Sequence, residues 1–268
     1  MKSRFLVRCL AVLILVLATA CTSSLRMRDY PRAGVVLHDD PRLQVTTHLR
    51  GEAHAFRELK LLSRCTLTHD EDQFASRYAF VARATGELRV EQFPTSGFYS
   101  IGALVSDTHE TTVVFQTEKK ALRMDPGAEG FSELFGIDFP LQEKNVGALL
   151  AGVLSLDLIS QILEVRQNDS DAKWRIAAFA SDFIALFDER MRLSEFHYFA
   201  PREGAELLAL NFNYDDQIIP EKFTLKMIEE DVTLDCGASQ RSYNQPVRDD
   251  VFKIDVPANF DVRDRRKS

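Results

Sequence analysis

Apolar residues recur at every second position through two long blocks of this chain, and that period constrains the fold more than any other feature. Strict alternation places one face of an extended segment against a core and leaves the other wet. In the first block it predicts strands over Arg64–Thr68, Phe74–Ala84, Leu88–Phe93, Phe98–Ser106, Thr111–Thr117 and Ala121–Met124. In the second it predicts Glu164–Gln167, Trp174–Ala180, Phe183–Asp188, Met191–Phe199, Glu206–Asn213 and Lys222–Leu234, with Val251–Val256 as a last edge segment. Short polar runs such as His69-Asp70-Glu71-Asp72, Thr85-Gly86, Asn168-Asp169-Ser170-Asp171 and Tyr214-Asp215-Asp216 punctuate them as turns. Strands following one another this closely make an antiparallel meander, and a sheet so large curls or closes to hide its edges.

The period changes in two places. Leu49, Ala53, Phe56 and Leu59 are spaced by three and four, which predicts a helix from Leu43 to Leu62. Between the strand blocks, Phe131–Gly136 reads as a short helix, and Asn145 is positioned to cap a second from Val146 to about Leu156. The expected class is α+β, mostly β: a strongly curved antiparallel sheet with an N-terminal helix and a helical insert able to lie across its mouth or concave face.

The N-terminus speaks to location. Lys2, Arg4 and Arg8 precede an apolar run from Leu10 to Leu17. That run has the length of a signal-peptide core and falls short of the roughly 20 residues that span a bilayer. It ends in Leu17-Ala18-Thr19-Ala20-Cys21. The alternative is a plain secretory peptide in which Cys21 is incidental. Residues 22–41 read as a polar tether and residues 258–268, with Arg263, Arg265, Arg266 and Lys267, as a disordered solvated tail, so that 42–257 is the folded domain.

Among 268 residues the formal net charge is −7, and the leader carries three cations and no acid, so the remainder is more acidic still. Nucleic acid is a poor partner for such a surface. Of four Cys, Cys65 and Cys236 remain after the leader and Cys21; an oxidising compartment favours a disulfide between them over two buried thiols.

Leu17-Ala18-Thr19-Ala20-Cys21 resembles the lipobox of bacterial lipoproteins, which implies a diacylglyceryl thioether on Cys21 and an acylated new N-terminus. Acyl chains contribute ~0.8 kcal/mol per buried CH₂, and two or more anchor stably. Thr22 is not Asp, so the analogy implies the periplasmic face of the outer membrane. The stretch from Leu43 to about Leu163 is similar to the LolA/LolB-like superfamily of periplasmic lipoprotein carriers. The features are ordered: Leu49-Arg50-Gly51-Glu52-Ala53, Gly86-Glu87-Leu88-Arg89-Val90-Glu91, Thr112-Val113-Val114-Phe115, Glu118-Lys119-Lys120-Ala121-Leu122-Arg123 and Leu149-Leu150-Ala151-Gly152.

The resemblance implies a half-open antiparallel β-barrel with helices as a movable lid over an apolar cavity for acyl chains or lipoproteins, and so a role in lipoprotein localisation, as chaperone or in protein transport, or in lipid handling. Its candidate lining is Tyr78, Phe80, Ala82, Leu88, Val90, Val113 and Phe115 on strands and Leu149, Leu150 and Val153 on the lid. Arg89 is the nearest match to the basic residue that holds such a lid shut, and Pro94–Tyr99 to a membrane-inserting loop. The competing reading is a non-catalytic scaffold of a cell-envelope assembly, its interior filled. Catalytic chemistry has no support: no Gly-rich phosphate loop, no G-x-S-x-G elbow and no H-E-x-x-H occur. No cofactor or metal is expected. His69–Asp72 reads as a solvated turn, not a cation site.

Overall fold

The computed structural model describes residues 40–266 except 98, 128, 169–173 and 202. The leader, Cys21, the tether, Phe98 and most of the Asn168–Asp171 turn lie outside the described residues. Helix α1 (Pro41–Ala55) starts where Asp40 accepts from Arg42 N at 3.1 Å and Leu43 N at 3.3 Å, with Pro41 in the first turn. It buries Val45 and Leu49.

The helix does not reach Leu62 as the spacing predicted: Phe56 is already extended, and Leu59 and Leu61 belong to strand β1 (Glu58–His69). β1 is a central strand with neighbours on both sides, and two ladders of backbone hydrogen bonds outweigh a weak helical stripe. The Asn244 side chain secures the junction, accepting from Arg57 N at 2.7 Å and donating to Ala55 O at 2.7 Å.

The first strand block forms β1, β2 (Asp72–Arg83), β3 (Leu88–Pro94), β4 (Gly102–Ser106), β5 (Thr111–Phe115) and β6 (Lys120–Met124). The second forms β7 (Glu164–Gln167), β8 (Ile176–Phe179), β9 (Phe183–Phe187), β10 (Leu193–Phe199), β11 (Glu206–Asn213), β12 (Lys222–Met227) and β13 (Val232–Tyr243). The predicted run Lys222–Leu234 is thus two strands, parted by a tight turn in which Asp231 has φ 51°. No Gly or Pro marks that turn in the sequence.

Successive strands pair antiparallel within each block, and β1 pairs β13, which joins the blocks into one curved, unclosed sheet. β7 is one edge; the other is β14 (Asp261–Asp264), parallel to β6. The C-terminal segment therefore corrects the expectation of a disordered tail over 258–268. Its charge obscured it: an edge strand with all four residues exposed carries no apolar alternation. Val251–Val256 is likewise no strand. A 3₁₀ turn, Asp249–Phe252, sets Phe252 4.6 Å beneath the Arg83 guanidinium.

The insert holds α2 (Glu129–Phe135), α3 (Glu143–Leu150) and α4 (Leu156–Ser160). The single helix expected over Val146–Leu156 is broken after Leu150, where Gly152 has φ 74°. Asn145 lies inside α3, and its Oδ1 accepts from Ser155 Oγ at 2.7 Å, tying α3 to the start of α4. α2 packs on β4 and β5, and α3 on β2 and β3. Gly147 is needed there, because a methyl group on it would overlap the Ala82 side chain. Insert and sheet share one apolar core, so the helices cover the inner face.

Candidate functional site

The inner face is built from cross-strand rows. Phe80, Val90, Leu104, Val113 and Leu122 are consecutive register partners on β2 to β6, and all are buried. Such rows form because a pleated strand sends alternate side chains to one face. On the other side of β1, Phe223 and Leu225 of β12 and Val232 and Leu234 of β13 continue the same apolar surface.

A cluster of phenylalanines from the insert descends onto this surface. Phe131 stacks on Phe139 with ring centroids 4.9 Å apart and on Phe135 at 5.7 Å. Phe135 in turn stacks on Tyr78 at 5.6 Å, while Phe80 meets Phe223 edge-on at 6.1 Å. Between the insert and β1, β2, β12 and β13 a cavity of about 30 Å³ remains, lined by hydrophobic side chains alone. A space of that size is roughly one water molecule, and its walls offer such a molecule no partner. The lid is shut and the interior is filled by the lid's own aromatic rings.

Of the expected lining residues, Tyr78, Phe80, Ala82, Leu88, Val90, Val113, Leu149, Leu150 and Val153 are buried in the common core, and Phe115 is half-buried against it. Only Phe80 and Leu150 of them border the remaining cavity. Val153 borders two larger clefts of about 400 and 320 Å³. Both clefts have mixed walls: His54, Arg83, Lys144 and Asp157 beside Phe56 in one, and His48, Glu52 and Arg190 beside Leu49 in the other.

Sequence reasoning missed Phe131, Phe135 and Phe139, although their spacing of four was visible. It also missed Phe223 and Leu225, whose alternation lay in a run read as one long strand.

Cys65 and Cys236 stand at paired positions of β1 and β13, Cα atoms 4.1 Å apart, and are joined by a disulfide. The bridge crosses the seam where the two strand blocks meet. Arg89 does not hold the lid. It points away from the insert, bonded to Glu91 and to the carbonyls of Val251 (2.7 Å) and Lys253 (3.1 Å). In the Pro94–Tyr99 loop Tyr99 is 64% exposed, and the Arg77 guanidinium fastens the loop through the carbonyls of Pro94 and Gly97. Asp70 takes φ 53° in the His69–Asp72 turn, and no group of side chains suited to a metal ion occurs among the described residues.

Two ionisable sites stand out, one buried and one half-buried. Glu143, at the first position of α3, is 1% exposed and forms no ion pair among the described residues. Burial pushes its carboxyl above the ordinary range, against hydrogen bonds from Gly127, Ser106, Thr111 and Gly130 that favour the anion. His197 of β10 lies between Glu206 (Nδ1 to Oε1, 2.6 Å) and Glu195 (Nε2 to Oε2, 3.2 Å). Burial works against its charge, but the two carboxylates prevail and raise it to about 9.

No family model matches the chain, and no curated protein matches it in sequence. Solved structures do. A DUF1329 family protein from Desulfovibrio piger superimposes with a TM-score of 0.55 at 8% identity, over 80% of this chain and 98% of that one. A LolA superfamily protein from Nitrosomonas europaea gives 0.52 at 10% identity, over 78% and 97%. A domain assigned to outer-membrane lipoprotein sorting from Vibrio parahaemolyticus gives 0.51 at 11%, over 78% and 95%. With helices across one face of a curved, unclosed antiparallel sheet, this chain has the LolA/LolB-like fold.

Proposed function

We propose that the protein is a lipid-anchored carrier or receptor of the cell envelope that takes acyl chains, free or borne by lipoproteins, between its sheet and its insert. The observation that carries this reading is the apolar core that the helical insert shares with the inner face of the sheet, around a cavity lined by hydrophobic side chains alone. Acyl chains in water cost the same transfer free energy that core residues avoid, about 25 cal/mol per Å². An apolar surface whose cover can leave removes that cost. Phe131, Phe135 and Phe139 occupy the space an acyl chain would take and would be displaced by it. Tethering through Cys21 at the outer membrane, on its periplasmic side, fits the leader and gives the carrier a fixed place. This reading assigns no catalytic role and no cofactor.

One observation favours the scaffold reading instead. A space of about 30 Å³ holds no acyl chain while the lid is shut, and ligand pockets run to about 300–1,000 Å³. The deciding experiment uses the whole chain with Cys21→Ser. It is purified without detergent, extracted for bound lipid and titrated with a fluorescent alkyl probe. Co-purifying lipid, or saturable uptake at one site, supports the carrier. Absence of both across repeated preparations sinks it.

A further inference from the structure

We propose that Glu143 is the positioning residue of the lid: its carboxylate fastens the start of α2 to the β4–β5 hairpin, and the lid opens for its ligand by leaving that carboxylate. The inference rests on the carrier reading above and adds the device that controls it.

One side chain gathers four donors from three separate pieces of chain. Glu143 Oε2 accepts from Ser106 Oγ at 3.1 Å, Thr111 Oγ1 at 3.0 Å and Gly127 N at 2.9 Å, and Oε1 accepts from Gly130 N at 3.0 Å. Ser106 ends β4 and Thr111 begins β5, their hydroxyls 2.8 Å apart. Gly127 lies just ahead of α2, and Gly130 is in its first turn. α2 sits directly on the carboxylate: a methyl group at Gly130 would overlap Glu143 Oε1, Thr111 and Leu104.

Further along α2, Glu133 pairs with Arg265 of the C-terminal segment, so the seat holds the N-terminal end of the helix, up to Gly130. The next residue is Phe131, and Leu134 and Phe135 follow on the same short helix. At its far end Gly136 takes φ 69° and its N–H donates to Ser132 O at 2.8 Å, which ends the helix there. A helix of seven residues has little stability of its own and stays folded through what it touches. The clasp is also reachable. A surface cleft of about 260 Å³ between the β4–β5 turn and Gly127 borders Glu143, so water can replace the four donors as α2 departs.

The clasp works without a counter-charge. Neighbouring elements carry Asp107, His109 and Glu110 on the hairpin, Asp125 before Gly127, and Glu129 and Glu133 on α2. Lys144 follows on α3, Arg123 is on β6 and Arg266 is beside β14. None of these forms an ion pair with Glu143 among the described residues, and acids outnumber bases close by.

Because burial pushes the carboxyl upward, the closed lid holds the proton more tightly than the open one. Raising the pH from the ordinary carboxylate value through the elevated one therefore favours opening; lowering it favours closure.

The test uses the whole chain with Cys21→Ser, alone and with Glu143→Ala, and an uncharged pyrenyl alkanol as probe. Uptake and release are followed by stopped flow from pH 4.5 to 8. Losing the seat should speed both rates by about tenfold, the worth of one hydrogen bond, while Kd moves by less than about threefold. In the parent the rates should rise with pH, and in Glu143→Ala the profile should be flat. Parental rates and pH profile in the variant overturn the proposal. So does a variant that loses affinity or thermal stability without faster exchange of probe.

If the parent binds no probe, the carrier reading fails, and hydrogen exchange judges the clasp independently. Amides 129–135 should lose protection in Glu143→Ala while those of β4 keep theirs; equal protection overturns it. Should the variant not fold, exchange at the same amides in the parent decides, corrected for intrinsic rate. Opening more readily at pH 7 than at pH 5 supports the clasp, and no difference overturns it.

Discussion

Truncating Phe131 to alanine tests whether the insert is a cover over ligand space or merely part of a solid core. Phe131 is buried and stacks on Phe135 and Phe139 at the wall of the remaining cavity. Phe→Ala in such a setting costs about 3–5 kcal/mol. Taking ~4 kcal/mol, about 2.5 is lost transfer free energy and ~1.5 is the cost of the void. At ~24 cal/mol per Å³ the void is about 60 Å³, which joins the existing space of about 30 Å³.

A dry apolar void of that size has no use for water and accepts apolar guests. The variant should therefore be less stable alone yet bind a short alkyl probe more tightly than the parent. Probe at 100 times its Kd should return about 2.7 kcal/mol. Urea unfolding of the Cys21→Ser chain and of the same chain with Phe131→Ala, each with and without probe, reads both effects. A loss below about 1 kcal/mol would mean that Phe131 is not packed as described. A full loss that no apolar guest reverses would mean that the insert covers no ligand space.

The Cys65–Cys236 bridge spans 171 residues of sequence, and reducing it should cost about 2–5 kcal/mol, read as a lower urea midpoint in dithiothreitol. An unchanged midpoint with both thiols free would refute this. His197 makes stability depend on pH in a stated direction. Its value is raised from 6.5 to about 9, so its contribution is whole below pH 6.5 and disappears as pH climbs through 9. At ~1.4 kcal/mol for each tenfold change in proton affinity, the loss amounts to at most about 3 kcal/mol. His197→Gln should flatten that part of the profile, and a parent chain equally stable at pH 6.5 and 9.5 would contradict the assignment.

How much of this could be read in advance depended on how local each cause is. Leu88, Val90, Val113 and Phe115 alternate within a few residues, so their strands were legible. The helix overran because Phe56 and Leu59 continue a helical spacing, whereas what decides Glu58–Leu62 is hydrogen bonding to strands far along the chain. The Val232 strand merged with its predecessor because Ile228-Glu229-Glu230-Asp231 turns without Gly or Pro. β14 was missed because its exposed, charged residues pair only at an edge. Glu143 looked like any acid at the start of a helix. Its donors lie 13 to 37 residues away, and nothing short of folding brings them together.

The amino-acid sequence by itself determined that two blocks of alternating strands flank a helical insert, and hence a large curved antiparallel sheet with helices to spare. Alternation is a property of each pleated segment and needs no partner to be seen. Tertiary structure alone decided that β1 meets β13, that the lid's phenylalanines fill the interior, and that a lone carboxylate seats the lid. Those outcomes follow from packing volume and from desolvation, and both exist only once distant segments exclude water from one another.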